Sequence, residues 1–462
     1  MDRSRRAAEF ARDLQWADVP PDVQASTLRC VLDLCGCAIA GSRTRVVEIM
    51  KAYARDAYGA GRATIIAAAR ASTASGASLV NAFAASALDI DDGYRPLKGH
   101  PGAVVFPAVL AAAEESKTTG PDFLGALVAG YELAMRAGHV LHPLYDFYHG
   151  SGAWGPIGAA AGAGRALGCT AEQIRHAMGI AEFHAPMTPE MRSVDAPSMV
   201  KDGIGWGGLV GFASARLASL GFTGIPSLFD CGDDAADSLE SLGREFLMRR
   251  LYLKTYASCR WAHPAVLGAV TAAGHLKVPA AELARIRVHT FEAAMHLRVT
   301  APRSTEEAQF SLPWPVACAL VDGAVGPEQV LDDALADPVR RGLAERVEMV
   351  HDPELERAFP ARALAWVELE TRDGRRARSG VVAAPGDVEA PLSDEEAERK
   401  FHSLVDPVFG ARRGDALAEE VRLLPGAGDL RELGRRLRAT GHSEKPRRRP
   451  QRSSTGREGD DA

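Results

Sequence analysis

Ala365-Trp366-Val367-Glu368-Leu369-Glu370 alternates apolar and polar residues, and Thr371-Arg372-Asp373-Gly374-Arg375 then turns the chain on an Asp-Gly pair. This is the pattern of a half-buried strand entering a hairpin. A return strand is available in Ser379-Gly380-Val381-Val382. Ile286-Arg287-Val288-His289-Thr290 and Val347-Glu348-Met349-Val350-His351 alternate in the same way. Between these strands, 311–321 and 327–335 carry helical periodicity. An α+β unit is therefore expected at about 252–392.

Outside that unit the periodicity is helical. Ala-rich stretches with apolar residues three and four apart recur at 22–40, 77–88, 103–115, 122–140, 153–167, 171–182 and 205–220. Gly, Pro and Thr separate them, and Thr170-Ala171-Glu172-Gln173 has the spacing of a capping box. Helical pattern resumes at Ser393 and runs to about Arg438. The expected fold is mainly α. A large all-helical domain is formed by 1–251 and completed by 393–440, with the smaller α+β domain at 252–392 inserted as a lid. The polar segment 441–462 is expected to be disordered.

With 462 residues, 46% hydrophobic and 25% charged, the composition is that of a globular protein of two domains. A net charge of -6 and a pI near 6.1 argue against a nucleic-acid partner. The first residues lead into an Ala/Glu/Arg-rich helix rather than an apolar signal core. The most apolar stretches, 104–113 and 159–167, fall short of the ~20 residues of a membrane span. Seven scattered cysteines suggest no disulfide framework, so a cytoplasmic protein is expected. Only eight of the 54 basic residues are lysine, which gives weight to a lysine retained in a Gly-rich or apolar segment.

Four segments stand out. The first is Leu88-Asp89-Ile90-Asp91-Asp92-Gly93-Tyr94-Arg95-Pro96-Leu97-Lys98-Gly99-His100-Pro101-Gly102. Here a helix ends in acids, and another restarts after His100. Asp89 and Asp92, three apart, would share a helical face; alternatively the acids solvate a helix end and His100 caps the next helix. In Tyr145-Asp146-Phe147-Tyr148-His149-Gly150-Ser151-Gly152, His149 precedes a Gly-rich helix start, suited to proton transfer beside an anion, or to packing on aromatic rings. Lys201-Asp202-Gly203-Ile204-Gly205-Trp206-Gly207-Gly208 has GxGxxG-like spacing, but no strand precedes it, so a dinucleotide site is not indicated. Lys254-Thr255-Tyr256-Ala257-Ser258-Cys259-Arg260-Trp261-Ala262-His263-Pro264 places cations at the domain boundary, where clefts form. Cys259 there is a possible nucleophile or an inert buried thiol.

These segments, in this order, resemble the MmgE/PrpD family, which includes 2-methylcitrate dehydratase, cis-aconitate decarboxylase and iminodisuccinate epimerase. The likeness runs from about residue 5 to 435 and extends to Glu307-Ala308-Gln309-Phe310-Ser311-Leu312-Pro313-Trp314, which looks like the family's entry to a lid helix. The resemblance implies a homodimer that uses no cofactor or metal and acts on a small di- or tricarboxylic acid. By motif position it assigns catalysis to Asp89, His100, His149, Lys201 and Lys254. Asp92, Tyr256, Arg260, His263 and Trp314 are expected to contact substrate. Gly93 stands where decarboxylase-like members carry threonine, and Trp314 where tyrosine is usual. Loss of both hydroxyls argues against cis-aconitate. The loop from Asp92 to His100 is one residue longer than in the decarboxylase and closer to the epimerase.

The expected chemistry is abstraction of a proton beside a carboxylate, with lysines offsetting the developing charge. Elimination would make the protein a lyase of the dehydratase type. Reprotonation on the opposite face would make it an epimerase. A family member that has lost catalysis and serves as a binding protein is the remaining reading.

Overall fold

The computed structural model describes residues 3–231 and 234–439; the segment 441–462, expected to be disordered, lies outside the described residues. The fold is mainly α. Helices Ala74–Ser86, Pro101–Ser116, Gly120–Leu144, Ser151–Ala166 and Ile204–Ser219 pack on one another and build the larger hydrophobic core. Small residues let them approach closely. A Cβ on Gly158 would lie 2.2 Å from the Gly130 carbonyl oxygen on the neighbouring helix, so only glycine permits that crossing. The capping box at Thr170 and Gln173 is present. Helix Arg45–Tyr58, which sequence periodicity did not single out, packs on Ala74–Ser86.

Two short strands, β1 (Gly93–Tyr94) and β2 (Leu251–Tyr252), pair antiparallel and join the acidic loop to the start of the second unit. That unit carries a sheet of β3 (Leu283–Thr290), β4 (Val347–His351), β5 (Leu364–Thr371), β6 (Arg376–Arg378) and β7 (Val382–Ala383). The order is β4-β3-β5-β6, with β7 also on β5. β3 and β4 are parallel, and the other pairs are antiparallel. The hairpin turns at Gly374, whose φ of +86° suits the Asp-Gly reading. Ala365, Val367 and Leu369 of β5 face helix His263–Leu276, which also packs against helix Pro313–Asp322. The expected helix at 327–335 divides into the short helix Pro327–Val330 and a 3₁₀ turn.

This second core is not closed on itself. It takes in Leu88 and Ile90 from the acidic loop, Cys37 and Ala40 from helix Pro21–Gly41, and Leu404 from helix Asp394–Phe409. Helix Pro21–Gly41 is long and apolar enough to cross a membrane by length and composition alone. Here it is two-thirds buried and packs against Asp394–Phe409.

Between those two helices Lys400 is buried, with its Nζ 2.5 Å from Asp33 Oδ1 and 2.7 Å from the Ile90 carbonyl to which it donates. Burial works against the Lys400 charge, but Asp33 more than offsets it and raises the ammonium above its ordinary range. Removing one partner of a buried pair leaves the other uncompensated, at a cost of roughly 3–5 kcal/mol. Lys400→Met is therefore expected to lower unfolding stability by about that amount in urea titrations. A loss near zero would show that Asp33 and the Ile90 carbonyl find other partners.

Candidate active site

The acidic loop runs between the two cores. Leu88 and Ile90 enter the second core, whereas Tyr94 and Leu97 belong to the first. The intervening carboxylates, Asp89, Asp91 and Asp92, are consequently buried in the seam. Helix Ala74–Ser86 ends before them, and Asp89 takes a left-handed φ of +50° after its N–H donates to the Ser86 carbonyl. Asp89 and Asp92 thus do not share a helical face. The seam, not helical periodicity, sets their separation.

A cavity of about 50 Å³ opens at this seam, with walls from both units. Asp89 is at its centre. Lys254, fully buried, places Nζ 2.9 Å from Asp89 Oδ1, and His100 Nε2 lies 3.7 Å from the same oxygen. Burial raises the Asp89 carboxyl, but Lys254, Lys201 and His100 together outweigh it and hold the group below its ordinary range. His100 occupies the N-cap position of helix Pro101–Ser116, yet its side chain does not cap that helix. Instead Nδ1 sits 2.7 Å from the Asp92 carbonyl, an acceptor only, which assigns the proton to Nδ1 and leaves Nε2 with its lone pair towards the cavity. The His100 backbone N–H is held by Ser151 Oγ at 2.8 Å.

Two further carboxyls, Glu190 and Asp202, line the cavity and are buried without an ion pair among the described residues. Glu190 Oε1 accepts from Ser193 Oγ at 2.7 Å, while Oε2 has no hydrogen-bond partner. Burial and their mutual repulsion push Glu190 well up, and burial also raises Asp202. The protonated form of the pair is thereby favoured. It is a candidate acid that the sequence reading missed, because nothing in spacing joins positions 190 and 202.

The expected site residues divide into three groups. Asp89, His100, Lys254 and Arg260 line the cavity. Lys201 lies beside it, where Nζ donates to the Ser86 carbonyl at 2.6 Å and Gln309 Oε1 at 2.7 Å. It also lines a wider neighbouring cleft with Glu190 and Trp206. The remaining residues stand behind the walls. His149 is fully buried, its ring 3.9 Å from that of Phe147, and neither ring nitrogen has a partner. Burial lowers its pKa to about 4.

Asp92 does not line the cavity. Its carboxyl accepts from Tyr131 Oη at 2.7 Å and the Gly102 N–H at 3.1 Å, and burial pushes it up to about 7. His263 is buried behind Arg260, with Nδ1 3.2 Å from Arg260 Nη1, and Tyr256 packs on the His263 ring. Trp314 is not on the cavity wall. Its indole fills the second core and donates to the Gln329 carbonyl at 2.9 Å; Phe310 is the aromatic residue of that segment that lines the cavity. Burial pushes the Cys259 thiol up to about 12, which disfavours the thiolate.

Gly93 has a positive reason to be glycine. In the β1–β2 pair it faces Tyr252, and a Cβ on Gly93 would lie 2.3 Å from Tyr252 Cζ and 2.4 Å from its Oη. The phenol that occupies this space lines the cavity, with the Arg260 guanidinium 4.4 Å from the ring centroid. A hydroxyl absent from position 93 is thus matched by one arriving from position 252. Sequence spacing does not reveal such an exchange, because it depends on strand pairing across more than 150 residues.

Comparison with known proteins agrees with this architecture. The family model described as MmgE/PrpD N-terminal domain matches residues 5–241, and that of the MmgE/PrpD C-terminal domain matches residues 256–424. The chain is 25% identical to the cis-aconitate decarboxylase-like protein oryM of Aspergillus oryzae, covering 92% of this chain and 95% of that protein. It is 24% identical to cis-aconitate decarboxylase of Aspergillus terreus, over 92% and 93% of the two chains. Human cis-aconitate decarboxylase is 26% identical over 81% of this chain and 82% of its own.

Two expectations test the site geometry. Gly93→Ala drives a methyl group into the Tyr252 ring and should cost about 1–3 kcal/mol of stability by overpacking. A variant as stable as wild type would show that the ring moves aside freely. The second concerns His149, whose folded pKa near 4 lies below its ordinary 6.5. The stability it contributes is then full above pH 6.5 and is lost as pH falls towards 4. NMR titration should find the imidazole still neutral at pH 5.5; a midpoint at or above 6.5 would place it in contact with solvent or an anion.

Proposed function

We infer that this chain, which belongs to the MmgE/PrpD family, is a lyase that removes a proton beside a carboxylate of a small di- or tricarboxylic acid, in the manner of a dehydratase. The observation that carries this reading is the buried Asp89–Lys254 pair with His100 Nε2 beside it, in a cavity shared by both units. An imidazole with its Nδ1 proton tied to a carbonyl offers Nε2 as a base. Once protonated, it has Asp89 and Asp91 carboxyls 3.7 Å away to stabilise the cation. Lys254 and Lys201 offset the negative charge that builds on the substrate carboxylate as the C–H bond breaks. The Glu190–Asp202 pair, in which burial favours the protonated form, supplies a proton to the leaving group or to the product carbanion.

The second unit acts as a lid in this reading. A cavity of about 50 Å³ holds a few waters, since one needs roughly 10–15 Å³. A six-carbon acid requires the walls to part. Arg95 bridges them: it binds Glu389 through two hydrogen bonds of 2.8 and 2.7 Å and lies 3.1 Å from Asp387, while Arg260 meets Asp387 at 3.2 Å. Opening would break the Arg95 ion pairs, and closing would exclude water from the developing charge.

A homodimer and a reduced cytoplasmic setting complete the proposal. Phe183, Leu220, Phe222, Ile225 and Trp206 are exposed on and beside helices Ala171–His184 and Ile204–Ser219, an apolar surface suited to a second copy. All seven cysteines are free thiols.

Incubation with citrate-like and aconitate-like acids in deuterated water should show exchange at the carbon beside a carboxylate, unaffected by EDTA. His100→Asn should lower that rate about 10²–10⁴-fold while leaving the melting curve in place. Exchange at the wild-type rate would assign the base to another residue, and activity restored by a divalent ion after chelation would overturn the cofactor-free reading.

A further inference from the structure

We propose that Lys98 is a docking cation for a third substrate carboxylate, remote from the reacting carbon, so that the preferred ligand is a tricarboxylate rather than a dicarboxylate. The inference rests on the cavity's being a carboxylic-acid site, as argued above. Its own basis is the charge balance of the wall. Lys254 is paired with Asp89, Arg95 with Asp387 and Glu389, and Arg260 with Asp387. His100 lies 3.7 Å from both Asp89 and Asp91. Lys98 is the cation lining the cavity that has no carboxylate partner among the described residues.

Its position is built rather than incidental. Lys98 ends the 3₁₀ turn Arg95–Leu97 in a left-handed conformation, φ +50°, which a lysine rarely adopts. Several bonds hold it there. Its N–H donates to the Arg95 carbonyl at 3.0 Å, its carbonyl accepts from Tyr148 Oη, and Tyr94 N–H closes the loop onto the Gly99 carbonyl at 2.8 Å. The ammonium rests 4.2 Å above the centroid of the Tyr148 ring, half-buried, and burial lowers its pKa. A partly desolvated ammonium stacked on an aromatic ring gains most from an incoming anion that restores a hydrogen-bonded counter-charge. The surrounding acids do not supply that counter-charge: Asp387 is shared by two arginines, and the neighbouring Glu190 and Asp202 carboxyls are raised towards their neutral forms.

The test is calorimetric titration of the full chain with tricarballylate, which has no hydroxyl to eliminate, and with succinate and inorganic phosphate in parallel. For tricarballylate, Lys98→Met should weaken binding at least about tenfold, the scale of one charge-assisted hydrogen bond. Lys98→Arg should retain most of the affinity, and succinate binding should change less than about threefold. Melting curves of both variants should match wild type, since neither exchange buries a new charge. Unchanged tricarballylate binding in Lys98→Met overturns the assignment. So does an equal loss for succinate, which would make Lys98 a general source of positive potential, or Lys98-dependent phosphate binding as strong as that of the tricarboxylate. Wild-type protein that binds neither acid would instead overturn the carboxylic-acid reading beneath it.

Discussion

The structure depends on burying carboxylates in the seam between two cores. Asp33, Asp89, Asp91 and Asp92 are all at most 4% exposed. A buried carboxylate is tolerated only where cations and donors replace its hydration, or where it keeps its proton. Both solutions occur here. Lys400 neutralises Asp33 and Lys254 neutralises Asp89, whereas burial raises Asp92 to about 7 despite the Tyr131 hydroxyl. Asp91 has no hydrogen bond to either oxygen and is likewise raised. The same acids that make the seam costly make it reactive, because their charge states are set apart by very local differences in partners.

The apolar residues of the acidic loop enforce this arrangement. Leu88 and Ile90 are drawn into the second core while Tyr94 and Leu97 stay with the first, so Asp89 is fixed at the boundary. Lys400 then reaches the Ile90 carbonyl from behind and couples helix Asp394–Phe409 to the same few residues. The order of elements along the chain is thus what assembles the site. The loop comes from the first helical segment, Lys254 and Arg260 from the boundary, and the supporting lysine from the return helix.

Local signals made much of this legible. The helices, the strands around Ile286, Val347 and Ala365, the Asp-Gly turn, and the return of helix near Ser393 all follow from periodicity and turn chemistry. Lysine is rare in the chain, and Lys98, Lys201 and Lys254 lie in or beside the cavity with Lys400 under it. Long-range geometry was not legible. Trp314 sits in a motif that looks like site sequence, but its side chain points into the second core, and no periodicity reports which side of a short helix faces a cavity. Asp92 shares the acidic run with Asp89 yet turns away to Tyr131, because the helix that would have aligned them stops at Ser86. The meeting of Gly93 with Tyr252 depends on a strand pair between distant segments.

On the proposed reading, charge balance is what suits this cavity to proton abstraction rather than simple anion capture. Most of its cations are already matched by carboxylates: Asp387 lies between Arg95 and Arg260, and Asp89 is held by Lys254. Apart from Lys98, a ligand carboxylate therefore meets a wall close to neutral, with little ground-state attraction at the reacting end of the substrate. As a proton leaves for His100, charge appears on the substrate and on the imidazole together, within reach of ammonium groups on one side and the Asp89 and Asp91 carboxyls on the other. Interactions that strengthen only as those charges develop lower the barrier without tightening the initial complex. A neutral, preorganised wall is the arrangement that keeps its electrostatic gain for the transition state.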